Sequence, residues 1–228
     1  PTPYGWPSRS SYFGIIDLAG FPKDIYYLYK SVWTDEPVLH IFPHWNWKPG
    51  QVVDVWAFYN HADEVELYLN GKSVGIRKKS GDDLHVMWRL TYEPGTLKAV
   101  SRKDGKVVLE QEIKTAGKAA KIELTADKKN IRADGSDLSF ITVKVLDKDG
   151  NLVPDADNLI QFNLSDNASI AGVDNGDEVS HASFQAKERK AFNGMCLAVI
   201  RPKKIKGTIQ LRASAGGLKG STIYLAAE

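Results

Sequence analysis

The sequence predicts a mostly β protein made of two immunoglobulin-like antiparallel β-sandwich domains behind a short segment that carries one helix. Three observations predict it. From Val38 onward the apolar residues alternate with period two. The runs that alternate are strand-sized and are separated by Asn-Gly, Asp-Gly and Pro-Gly turns. The small, polar stretch Thr115-Ala116-Gly117-Lys118-Ala119-Ala120 then divides them into two series of about seven strands each, the pattern of a sandwich.

The helix comes first. Phe21-Pro22-Lys23-Asp24 leads into Ile25-Tyr26-Tyr27-Leu28-Tyr29-Lys30-Ser31-Val32-Trp33. Proline costs nothing where an N–H would be unpaired, and Asp24 complements the positive end of the helix dipole. Ile25, Leu28, Tyr29 and Val32 fall on one stripe, and Asp35-Glu36-Pro37 ends the element.

The first strand series reads Val38–Phe42, Gln51–Tyr59, Glu64–Leu69, Lys72–Ile76, Leu84–Tyr92, Thr96–Arg102 and Val107–Lys114. In Glu64–Leu69 the side chains of Val65, Leu67 and Leu69 share one face, which should be the core face. Asn70-Gly71 follows at once, and both positions suit the positive φ that a tight hairpin requires. The second series reads Lys121–Thr125, Leu138–Leu146, Leu159–Leu164, Ser169–Val173, Ala191–Ile200, Thr208–Ala213 and Ser221–Ala226.

Composition excludes several classes of function. Thirty basic and 28 acidic residues are well mixed and leave a formal charge of +2, so there is no clustered basic face for nucleic acid. No apolar run approaches the ~20 residues of a membrane-crossing helix, so no membrane partner is expected. Nothing resembles a signal peptide, and the chain opens on Pro1 rather than Met, as a fragment would. Cys196 is the single cysteine and lies in the apolar run Met195–Val199, where a buried thiol is inert.

No catalytic constellation emerges. Glycoside hydrolysis needs two carboxyl groups ~5–10 Å apart on rigid elements. Here the acids sit in turns (Asp82-Asp83, Asp147, Asp149) or alternate with core residues, as Glu64 and Glu66 do. The five histidines show no ligand spacing, so no metal is expected. Asp147-Lys148-Asp149-Gly150-Asn151 echoes a calcium loop, but its glycine comes at the wrong position and Asn158 stands where the closing Glu belongs. No cofactor-binding motif occurs. The catalytic residue set is therefore empty.

The aromatic run Phe42-Pro43-His44-Trp45-Asn46-Trp47 has two readings. Aromatic faces stack on sugar rings, which makes Trp6, His44, Trp45 and Trp47 candidate carbohydrate contacts. A proline-bearing aromatic strand end also serves as a packing anchor between domains, and large aromatic side chains favour that use.

Residues 4–24, from Tyr4-Gly5-Trp6-Pro7-Ser8-Arg9 through Phe21-Pro22-Lys23-Asp24, resemble the tail of a glycoside hydrolase family 2 catalytic barrel of the β-galactosidase type found in Bacteroidetes. His44-Trp45-Asn46-Trp47, Val65–Ser73 and Tyr92–Ala99 are similar to the sandwich that follows that barrel. Ile131–Gly135, Gly172–Asp177 and Arg189–Gly194 resemble its terminal invasin-like immunoglobulin fold. The resemblance implies three segments: 1–36, a loop and one helix left from a TIM barrel; 37–116, the first sandwich; and 117–228, the invasin-like domain. It implies a parent enzyme that hydrolyses β-galactosides with retention and is exported to the periplasm or secreted. The catalytic glutamates of that family lie upstream of anything present here, so none transfers. The partner implied is the catalytic barrel of the same parent chain, with an oligo- or polysaccharide as a second. An autonomous carbohydrate-binding module and an adhesin-like spacer are the rival readings. Without its barrel, the loop 1–20 is expected to lack a scaffold, and the helix is expected to pack on the first sandwich through Tyr26, Tyr27 or Trp33.

Overall fold

A computed structural model describes residues 8–11 and 13–228. They fall into two compact units. One is formed by residues 22–116, and the other joins 117–228 with the N-terminal residues up to Phe21.

In the 22–116 unit, helix α1 (Asp24–Trp33) precedes seven strands: β1 (Leu39–Phe42), β2 (Val52–Tyr59), β3 (Glu64–Leu69), β4 (Lys72–Arg77), β5 (Val86–Thr91), β6 (Thr96–Lys103) and β7 (Lys106–Lys114). Two antiparallel sheets form, ordered β1-β2-β5 and β4-β3-β6-β7. Their inner faces enclose Ile41, Trp45, Val55, Tyr59, Val65, Leu67, Trp88, Leu97 and Ala99. Val65 and Leu67 are wholly buried, and Leu69 packs half-buried against the same core. The indole N–H of Trp88 donates to the Gly75 carbonyl at 2.9 Å, so its burial leaves no donor unpaired. Asn70 (φ 51°) and Gly71 (φ 80°) make the expected mirror-image turn between β3 and β4, and Asp104-Gly105 repeats it between β6 and β7.

The other unit holds β8 (Lys121–Ala126), β9 (Asn130–Ile131), β10 (Ser139–Leu146), β11 (Leu159–Leu164), β12 (Ala168–Asp174), β13 (Glu188–Lys190), β14 (Met195–Pro202), β15 (Gly207–Ser214) and β16 (Ser221–Ala227). Its sheets run β12-β14-β10-β8 and β13-β11-β15-β16-β9, antiparallel except for the β16–β9 pair. Ile141, Val143, Val145, Ile160, Cys196, Ile200, Ile209 and Leu211 fill the space between them. Burial pushes the Cys196 thiol up to about 12, so it stays protonated and unreactive at neutral pH.

The structure differs from the sequence expectation in two places here. The run 191–200 is not one strand. Asn193 (φ 50°) and Gly194 (φ 76°) form a third tight turn, and Phe192 and Met195 exchange backbone hydrogen bonds of 2.8 and 3.0 Å across it. The short strands β9 and β13 also escape notice, since two or three residues cannot display a period.

Candidate functional site

The candidate site begins with α1. Its backbone starts at Asp24 with Lys23 as N-cap, so Pro22 lies just outside the helix. Asn60, at the end of β2, fastens the other end. Its side-chain carbonyl accepts from the Val38 N–H (2.7 Å), and its amide donates to the Ser31 and Glu36 carbonyls (3.1 and 3.0 Å). Tyr27 stacks on His40 of β1 with centroids 3.8 Å apart, and His40 Nε2 lies 2.8 Å from Asp24 Oδ1. Of the three aromatic residues expected to hold the helix, Tyr27 does so.

One side of the helix stays open. No residue of α1 is buried. Ile25 and Tyr29 are more than a third exposed, Val32 is 60% exposed and Trp33 is 72% exposed. Beyond Tyr27 the aromatic contacts continue over the outer face of the three-stranded sheet. His40 stacks on Phe42, Phe42 packs on Phe58 and Trp56, and Trp56 stacks on His85 at 4.1 Å and 6°. The sequence carried a signal for this face: His40 and Phe42 on one strand, with Trp56 and Phe58 on the next, have the parity opposite to the core residues Ile41, Val55 and Ala57.

The four residues singled out as carbohydrate contacts separate. Trp6 lies outside the described residues. Trp45 is wholly buried in the core of its own sandwich, edge-on to Tyr92, with its indole N–H donating to the Glu93 carbonyl at 3.0 Å. That core leaves no face of its ring open to a sugar. The cause is the chain path. After the cis Phe42–Pro43 bond the chain turns inward at Trp45, and Thr115 Oγ1 donates to its carbonyl (2.7 Å). Trp47 and His44 stack on each other at 4.6 Å and 15°, and the Trp47 indole N–H donates to the His44 carbonyl at 2.7 Å. His44 is exposed and Trp47 half-buried, so this pair alone of the four presents aromatic surface among the described residues.

The N-terminal segment provides a second feature. The expectation that it lacks a scaffold is corrected for residues 8–11 and 13–21, which lie on the terminal unit. The Arg9 N–H donates to the Glu178 carbonyl at 2.8 Å, and its guanidinium lies 4.5 Å from the Phe184 ring centroid. Arg189, 1% exposed, approaches the same ring at 5.5 Å. It also donates to Asp174 (2.9 Å), Asn175 (2.8 Å) and the Ala182 carbonyl (3.1 Å). Asp17 folds the segment on itself by accepting the Phe21 N–H at 2.9 Å, and it sits so close to Gly176 that a Cβ there would fall 2.3 Å from its carboxylate. Sequence reasoning missed this bracket because its members are spread from Arg9 to Arg189 with no spacing to betray them. Between residues 18–21 and the β12-β14-β10-β8 sheet runs an apolar groove of about 810 Å³, lined by Leu18, Phe21, Phe140 and Phe184 among others.

The carboxylates on the strands of the 22–116 unit are engaged, and so is Asp147. Glu64 pairs with Lys78, Glu66 with Arg102, Glu110 with Lys98 and Glu112 with Lys114. Asp147, in the loop that echoes a calcium site, accepts the N–H groups of Gly117, Asp149 and Asn151 and the Asn151 side-chain amide at 2.8–3.0 Å. Those bonds close a turn. Among the described residues no group of three His, Cys, Asp or Glu side chains could hold a metal ion, and no helix is long and apolar enough to cross a membrane.

Fold and surface together describe a pair of sandwiches with a helix laid on one of them, and known proteins carry the same assembly of parts. Residues 122–224 match the family described as glycoside hydrolase family 2 C-terminal domain 5, and residues 50–109 match a domain of unknown function, DUF4982. The chain belongs with the C-terminal regions of glycoside hydrolase family 2 proteins. It is 59% identical over all 228 residues to the β-galactosidase BoGH2A of Bacteroides ovatus, of which it spans 27%. It is 36% identical over 193 residues, 82% of the chain, to a putative β-glucuronidase of Formosa agariphila, spanning 19% of that protein. The crystal structure of a β-glycosidase from Bacteroides vulgatus matches 97% of the chain at 32% identity with a TM-score of 0.93, over 29% of its own length. The chain therefore spans less than a third of each of these relatives.

Proposed function

We propose that this chain is the non-catalytic C-terminal accessory region of a β-galactosidase-type glycoside hydrolase that acts with retention, and that the catalytic barrel of the same parent chain covers α1. One observation carries this reading: the stripe Ile25, Tyr29, Val32 and Trp33 is apolar, continuous and open in a unit that has a complete core without it. Fully burying a large apolar side chain is worth ~1.5–3 kcal/mol, so a stripe of four is a strong driving force for docking. The 59% identity to a β-galactosidase along the whole chain supports the barrel as the occupant, because the chain is only 27% of that protein. The pairing of the strand carboxylates of the 22–116 unit with cations supports a role without chemistry of its own.

The reading has two tests. The isolated chain should leave a chromogenic β-galactoside unhydrolysed above buffer background; turnover lost on mutating an acid of this chain would overturn it. In the full-length parent enzyme, Val32→Asp and Trp33→Asp should lower the melting temperature of the barrel, while in the isolated chain they should change stability by no more than ~0.5 kcal/mol, as exposed substitutions do. A parent enzyme indifferent to both substitutions has its barrel elsewhere.

A saccharide contact at His44 and Trp47 is a narrower second reading, supported by the aromatic surface that the stacked pair presents.

A further inference from the structure

We infer that Asn193 is the first asparagine of this protein to change covalently: its side-chain amide converts to a carboxylate through a cyclic imide closed on Gly194. The sequence holds three Asn-Gly pairs, at 70–71, 175–176 and 193–194. Such a pair reacts within itself, because glycine carries no side chain to shield its backbone nitrogen. That nitrogen gives up its proton to hydroxide and attacks Cγ of the asparagine. The bond from Cγ to the side-chain nitrogen breaks, ammonia leaves, and water reopens the ring at either carbonyl. One product is aspartate. The other is isoaspartate, whose main chain runs through the former side chain.

The structure sorts the three pairs by how firmly each amide is held. The Asn70 side chain accepts from the Thr96 N–H (2.9 Å) and donates to Glu93 Oε1 (3.1 Å) and to the Pro94 carbonyl (3.2 Å). All of these bonds must break before Cγ can swing onto Gly71. Asn175 is 3% exposed, accepts from Arg189 (2.8 Å) and the Asp177 N–H (3.2 Å), and donates to the Lys190 carbonyl (3.0 Å). Water hardly reaches it, and the Asp17 carboxylate packed against Gly176 leaves no room for the ring. Asn193 is different. It is exposed, and among the described residues its side chain has no hydrogen-bond partner. What opposes attack is a bond of the nucleophile itself, from the Gly194 N–H to the Ala156 carbonyl at 3.0 Å. One bond to break against three places Asn193 ahead of Asn70 by about tenfold or more.

The consequence falls on one unit. Isoaspartate lengthens the main chain of the turn by a carbon atom. The hydrogen bonds between Phe192 and Met195, and the one from the Val145 N–H to the Gly194 carbonyl (2.8 Å), depend on its present length. The 117–228 unit should therefore lose stability as the isoaspartyl form accumulates, while residues 22–116 keep theirs.

Storage of the 228-residue chain in mildly alkaline buffer, followed by peptide mapping with mass spectrometry, tests the order. Each conversion adds a single mass unit and a negative charge. Asn193 should convert about tenfold or more ahead of Asn70, with Asn175 last. Asn193→Gly suits the positive φ of 50° at that position and should abolish the early product without disturbing the turn. Glu93→Ala removes one acceptor from Asn70 and should speed its conversion severalfold while Asn193 keeps its rate, which checks that hydrogen bonding sets the order. The inference is overturned if Asn70 or Asn175 converts as early as Asn193, if Glu93→Ala leaves Asn70 unchanged, or if Asn193 keeps its amide throughout.

Discussion

The two units solve one problem differently. Each must present a sheet face that the core does not use. The 22–116 unit lays α1 against β1 and β2 of its three-stranded sheet and leaves the helix stripe open. The terminal unit takes in a segment remote in sequence and fixes it with Arg9, Phe184 and Arg189. The first unit therefore keeps its helix stripe open, while the second holds residues 8–11 and 13–21 against itself and leaves an apolar groove beside residues 18–21. The lesson concerns where function can reside. A face closed by buried charge and ring contacts has a structural duty, and an apolar face left open beside a complete core awaits a partner.

That contrast can be broken most forcefully in the cores. Leu67 is wholly buried at the centre of the first sandwich, and Leu67→Ala should cost on the order of 2–5 kcal/mol there. The change should lower the first thermal transition and leave residues 117–228 intact by NMR. A loss shared equally by the spectra of both units would mean that they fold as one.

The next effect lies in the bracket. Arg189→Ala removes a buried cation and leaves Asp174 and Asn175 facing an empty volume, at a cost of ~3 kcal/mol. Phe184 loses one of its two guanidinium neighbours, and the grip on Arg9 slackens. Trypsin should then cut after Arg9 early in the variant and late in the unaltered protein. This reverses the expectation from sequence, which had no scaffold for the segment. Rapid cleavage at Arg9 in the unaltered chain would show that the contacts with Glu178 and Phe184 do not persist in solution.

The same examples show what a sequence displays and what it hides. Strands of six or more residues announce themselves by alternation, and so do the Asn70-Gly71 and Asp104-Gly105 turns by residue type. The Asn193-Gly194 turn gave an equal signal, but the apolar residues on both sides of it masked the break. Trp45 shows the limit for a site. Three aromatic residues stand within four positions in 44–47, and only the backbone path decides that the middle one is core while its neighbours are surface. Ile25, Tyr29 and Val32 of the open stripe were legible because their period is helical, but the exposure of Trp33, a candidate for packing on the sandwich, was not. The parity of Trp56 on β2 was legible too, but its stacking on His85 was not, because His85 lies in the connection before β5 and takes part in no period.

The smallest expected effect concerns Asp147, and it separates the units by pH. Burial pushes its carboxyl up, but the hydrogen bonds from the Asn151 side chain and from the N–H groups of Gly117, Asn151 and Asp149 outweigh this and hold the pKa at about 2. An unfolded Asp titrates near ~3.9. Because the folded value is the lower one, the group contributes stability in full above the unfolded pKa and loses it as pH falls from ~4 towards about 2. Asp147→Asn keeps one acceptor oxygen but has no charge to titrate, so it should flatten that part of the stability profile of the terminal unit and leave the profile of residues 22–116 unchanged. Measuring denaturant midpoints between pH 5 and 2 in the two proteins gives the comparison. An identical acid slope in both would assign the sensitivity to other carboxyls of the terminal unit: Asp134, held at about 2 chiefly by the Asp137 and Ser136 N–H groups, and Asp137, held lower still chiefly by Lys128. In that case the turn at Asp147 would owe its place to packing rather than to its charge.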